Sequence, residues 1–286
     1  MTIINSEITI NYPLFGLIIS LILFAGLHRL GDILLRVSSI NNIFSKISDT
    51  KYQKILLASN FLAAGLMPIV LFTTYSKYLI ILTSFILLIL GFIQFTANFN
   101  LYVKFKNIYL KNFSFDQILF LLLIFGFFLV TLAPINHADS LDYHVSVAKH
   151  ILNEGEFPST IFNPHHLLAG AGEILISLGY VFGAEQFGTL IQFSGIISLI
   201  GIIKKISKNK YLYILLAIGV PSIIFLISSP KPQLFPLCSN IVIFVLLFFN
   251  PEKFFKNKKE IYIVILISLI FLINSINTQY SFILSG

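Results

Sequence analysis

LLAGAGEILISLGYVF, residues 167–182, is the stretch whose reading decides the fold. It is apolar enough to pass for a membrane span, and it lies among eight other apolar stretches of near-spanning size, at 12–27, 54–75, 78–97, 114–133, 184–203, 211–228, 233–249 and 261–281. With eight spans and an outside N-terminus, alternate loops hold sixteen of the nineteen Lys and Arg residues, which then face the cytoplasm. Lys77, Lys149 and Lys231 are left outside. A ninth crossing at 167–182 would flip the loops around Lys204 and Lys256 to the outer side, against the positive-inside bias. The stretch is therefore read as interfacial or re-entrant, inside one large outer loop, 134–183.

Composition agrees. Of 286 residues, 57% are apolar and 11% charged, with a mean hydropathy of +0.91, values that exclude a water-soluble domain. The expected fold is an all-α, polytopic transmembrane bundle of about eight spans, with three helices in 1–113 ahead of a core in 114–286. The net charge of +7 sits in short runs between apolar segments, where it orients the chain, so nucleic acid is excluded as a partner. Cys238 is the one cysteine, so no intrachain disulfide or CxxC site exists. The first eleven residues carry Glu7 and no Lys or Arg, unlike a cleavable signal peptide, and the first apolar segment is expected to be retained.

Polar chemistry concentrates in the outer loop. Five of the six histidines lie between His137 and His166, with Asp139, Asp142, Glu154, Glu156 and Glu173. At 100° per residue, HADSLDYHVSVAKHILNEG gathers Lys149, Asp142, Asn153, Ser146, Asp139, His150 and Tyr143 on one arc, and Leu141, Val145, Ala148, Ile151 and Leu152 on the other. This is the pattern of a helix in the headgroup plane, ended by Gly155 and Pro158. His144 alone points into the apolar side, where an unpaired imidazole is costly.

Asp139 and Asp142 share a helix face, about 5–6 Å apart. Such a pair can hold a divalent cation or split its pKa values so that one acts as a base. It can equally cap the helix and favour its dipole. His166, Gly170, Glu173, Ser177 and Tyr180 form a stripe on the next apolar segment, and its carboxylate calls for a polar cavity or a histidine partner that ties two helices together. The histidine spacings match no zinc signature. Lys231, in SSPKPQ, is either the partner of an anionic headgroup or a lysine snorkelling at a helix end.

These residues resemble a known family. A spanning helix ending in Pro134, an outer loop AD-SLDYH-x5-H, an interfacial helix, a Pro-His segment and a Gly-rich apolar helix with Glu173 look like the GT-C membrane glycosyltransferases. The bacterial group related to protein O-mannosyltransferases and lipopolysaccharide glycosyltransferases is the nearest in pattern. SSPKPQ and QYSFILSG look like junctions of the same group, and the resemblance covers about 114–286. It implies an active site at the outer face of a bacterial inner membrane. It also implies a sugar donor on a polyprenyl phosphate, a lipid or glycan acceptor, and Asp139 and Asp142 as catalytic base or metal ligands. No cofactor is implied beyond that divalent metal. Tyr143, His144, His150, His166, Glu173 and Lys231 are the expected substrate-binding residues, with Lys231 on the departing phosphate. Three extra spans at the front and only five core helices make the chain look like an N-terminal portion. The alternatives are a multi-pass transporter or lipid flippase with an Asp/His proton relay, and a non-catalytic membrane subunit. Ionisable groups in an outer loop rather than at mid-membrane favour the enzyme.

Overall fold

A computed structural model describes residues 13–102, 114–138, 140–158, 169–207, 210–248 and 258–273, and among them every regular element is helical. The helices are α1 (Pro13–Leu35), α2 (Ser38–Ile47), α3 (Lys54–Phe72), α4 (Ser76–Tyr102), α5 (Phe115–Thr131), α6 (Ser146–Glu154), α7 (Ala171–Tyr180), α8 (Gln186–Ile206), α9 (Lys210–Ile218), α10 (Pro221–Ile227), α11 (Leu234–Phe248) and α12 (Lys258–Ile273). A helix falls on each of the eight apolar stretches. Within α1, α3, α4 and α8 lie segments long and apolar enough to cross a bilayer, and the protein is an all-α membrane protein.

The expected span 211–228 is broken. Gly219 and Val220 separate α9 from α10, because Pro221 cannot donate the backbone hydrogen bond a continuous helix needs there, and instead occupies the first turn of α10. Another element lay beyond the sequence reading: α2 is a short amphipathic helix that buries Ile43, Phe44 and Ile47.

The long helix α8 is the axis of the molecule. Near its start, Gly188 packs against Pro230 and the Thr189 hydroxyl donates to the Thr131 carbonyl at 2.6 Å. Near its end, Gly201 packs against Ser48 and Tyr52, and Lys204 donates to the Tyr52 hydroxyl at 3.2 Å. The helix's twenty-one residues at 1.5 Å each make it about 30 Å long, so these contacts lie on the order of 20 Å apart. The second end also holds Lys54, paired with Asp32 at 2.6 Å. Lys46 of α2 reaches the start of α12, where it pairs with Glu260 at 2.7 Å. Segments that the charge count assigned to one side thus meet.

The front helices are not a separate bundle. One continuous apolar core runs from Ile19 of α1 through α3, α6, α7 and α8 to Phe271 of α12. Buried polar side chains lock it: Gln53 and Ser198 exchange hydrogen bonds, the Asn60 amide donates to the Ser239 hydroxyl at 3.0 Å, and Gln192 accepts the Phe235 N–H at 2.9 Å. Each satisfies a group that would be costly to leave bare in an apolar surrounding.

Candidate functional site

The loop rich in histidine folds against the start of α7 and the end of α10. His137 lies 5.0 Å from the Phe225 ring, and its Nε2 is 3.0 Å from the Ser228 hydroxyl. Residues 140–145 form a turn of π-helix, which then tightens into α6. A π-turn rotates less per residue than the 100° assumed from the sequence, and the effect is local: Leu141, expected on the apolar side, is 48% exposed. From Val145 onward the expected division holds, with Ala148, Ile151 and Leu152 buried and Lys149, His150 and Asn153 at least partly open. Gly155 ends α6 in the left-handed region at φ 85°, and a Cβ there would lie 2.2 Å from the Thr74 carbonyl oxygen, so the position requires glycine. That contact ties α6 to the α3–α4 turn, and Lys77 donates to the Asn153 carbonyl at 3.2 Å.

The central feature is a buried pair. His144 is 3% exposed and Glu173 0% exposed, and Nδ1 lies 2.6 Å from Oε1. The other carboxylate oxygen accepts the Gly170 N–H at 2.7 Å, so Glu173 also caps the start of α7. Nδ1 and Oε1 thus share one hydrogen bond, which leaves Nε2 as the ring's second polar atom. That Nε2 is buried without a hydrogen-bond partner, as is the Ser140 hydroxyl one turn earlier. The Tyr143 ring centroid lies 3.8 Å from that of His144.

All ten residues of α7 are buried, so this helix does not lie at a lipid surface. At ten residues it spans about 15 Å, too short to cross a bilayer. Its start meets the 230–232 turn: a Cβ on Gly172 would lie 2.0 Å from the Pro232 Cβ. Lys231 is 6% exposed, with its Nζ 5.0 Å from the Phe225 ring centroid and its backbone N–H on the Ser229 hydroxyl at 3.3 Å. It is buried within protein, which rules out the snorkelling reading. Asp142 is exposed and makes no ion pair with another described residue. Lys149 turns away from it, over the Tyr180 ring at 5.4 Å. Burial raises the Glu185 carboxyl above its ordinary range, with Lys149 opposing, and burial, then Glu185, pushes the Tyr180 hydroxyl up.

Asp139 and His166 lie outside the described residues, as do their relations to the site. Of the remaining expected residues, the structure brings His144 and Glu173 into contact, stacks Tyr143 beside them, and seats Lys231 in the turn that packs on α7. His150 sits half-open on α6. Among the described residues no three His, Cys, Asp or Glu side chains converge as a metal site would require. His137 was not among the expected site residues, although its place in the same histidine-rich run was a signal for it.

No curated protein and no solved structure matches the chain. The model of the DUF1420 N-terminal domain matches residues 92–286, which takes in α5 to α12 and the whole His144–Glu173 region. With more than half of its length matched, the chain belongs to the DUF1420 family.

Proposed function

We propose that this chain carries the front part of a membrane glycosyltransferase core of the GT-C kind. The core takes sugar from a polyprenyl-phosphate donor at the outer face of a bacterial inner membrane and passes it to a lipid or glycan acceptor. Asp139, with Asp142, is the base that removes the acceptor proton or the holder of a divalent cation, and Lys231 meets the donor phosphate. One observation carries this reading: a lysine withdrawn from water in the turn that packs on α7, at the end of the bundle where the histidine loop and the Glu173 carboxylate also gather. An ammonium is a compact triple donor that a phosphate oxygen can accept from.

The test is sugar transfer in membranes containing the chain, supplied with a radiolabelled polyprenyl-phosphate sugar. Asp139→Asn should abolish transfer without loss of inserted protein, since it removes a base and keeps the shape. Lys231→Ala should raise the donor concentration required far more than the acceptor concentration. Full transfer by Asp139→Asn, or an unchanged donor dependence for Lys231→Ala, would overturn the assignment.

A further inference from the structure

At the opposite end from the histidine loop, the close of α1, the start of α2 and the start of α3 border an open pocket of about 410 Å³. Arg29, Arg36 and Lys54 line it, with Asp32, Asn41 and Thr50. Asp32 is already engaged, by Lys54 at 2.6 Å and at 3.8 Å by His28. Among the described residues neither arginine forms an ion pair. Three cations against one carboxylate leave the lining two positive charges in excess, on guanidinium groups whose planar forks match phosphate oxygens. The Thr50 hydroxyl and the Asn41 amide add neutral donors.

We propose that this pocket binds a phosphate group, Arg29 and Arg36 being its principal ligands and Lys54 a third. The site lies ahead of the family-matched residues 92–286 and does not depend on the transferase reading. Phosphate suits this lining better than a carboxylate does, since it offers more charge and more oxygens to three cations drawn from two helices and the turn that follows α1. Two sources offer that chemistry, the headgroup of an anionic lipid and a soluble phosphate. Arg29 lies in the last two turns of the apolar segment Leu14–Leu35 and Arg36 just after it, where positive charge is expected near a membrane surface and either source can reach it.

The purified chain in nanodiscs of phosphatidylcholine with one-fifth phosphatidylglycerol, the latter spin-labelled, measures the preference for anionic lipid. A parallel arm titrates inorganic phosphate into nanodiscs of phosphatidylcholine alone and follows thermal unfolding. For a lipid headgroup, the phosphatidylglycerol preference should fall about fivefold with each of Arg29→Gln and Arg36→Gln. For a soluble ligand, phosphate should protect the wild type and not these variants. Lys205→Gln, an exposed cation outside the pocket, should leave both readouts unchanged. Asp32→Asn should strengthen binding, a change that loss of folding cannot imitate. No preference and no protection, or an equal loss with Lys205→Gln, would overturn the site.

Discussion

Removing the Glu173 carboxylate should unlock the centre of the histidine end. Glu173 is fully buried and holds two donors, His144 Nδ1 at 2.6 Å and the Gly170 N–H at 2.7 Å. Glu173→Ala leaves both donors facing an apolar void, and breaking such a pair costs about 3–5 kcal/mol. Glu173→Gln keeps the volume and one acceptor oxygen. That oxygen can serve His144 Nδ1 or the Gly170 N–H but not both, so one hydrogen bond is lost and the cost is about 1–2 kcal/mol. The double replacement His144→Leu with Glu173→Leu removes both polar partners together, so its cost should fall well below the sum of the single changes. SDS-induced unfolding in mixed micelles, followed by helical circular dichroism, gives the free energies of the wild type, the two Glu173 variants, the two single leucine variants and the double. A cost below about 1 kcal/mol for Glu173→Ala, or strict additivity in the double replacement, would refute the pair as the lock between the π-turn and α7.

Two further outcomes are expected. Reporter fusions after Asn163 and Lys208 should give opposite sides of the membrane, because α8 alone crosses between them; the same side for both would make 167–182 a true span. Gly172→Ala should destabilise by about 1–3 kcal/mol, since its Cβ would lie 2.0 Å from the Pro232 Cβ, whereas Gly65→Ala within α3, with nothing inside 4 Å, should stabilise slightly; thermal unfolding of both variants checks the contrast.

The helices were legible because a bilayer permits few backbone solutions, and the apolar runs that satisfy it show in composition alone. Two missed features had visible signals. Ile40, Ile43, Phe44 and Ile47 follow the spacing of one helix face, which is α2, and Pro221 after Gly219 marks the break between α9 and α10. The π-turn had none: a local change of pitch leaves no trace in a pattern read at fixed rotation, and Leu141 is where that reading fails. Nor could charge scarcity reveal that Lys231 is buried, since that follows from how the 230–232 turn packs against Gly172 and Gly188, far away in sequence.

The His144–Glu173 pair marks the boundary between what was legible and what was not. Each residue alone is a misfit: His144 falls on the apolar side of an amphipathic segment, and Glu173 sits on an apolar helix. Either misfit could be met by water, by a ligand or by a distant side chain, and a local pattern cannot choose across a separation of 29 residues. The two needs are nonetheless complementary, since a neutral imidazole offers one donor and a carboxylate offers only acceptors. Packing joins them through one hydrogen bond between Nδ1 and Oε1, and the second carboxylate oxygen accepts the Gly170 N–H, so each misfit answers the other across the fold.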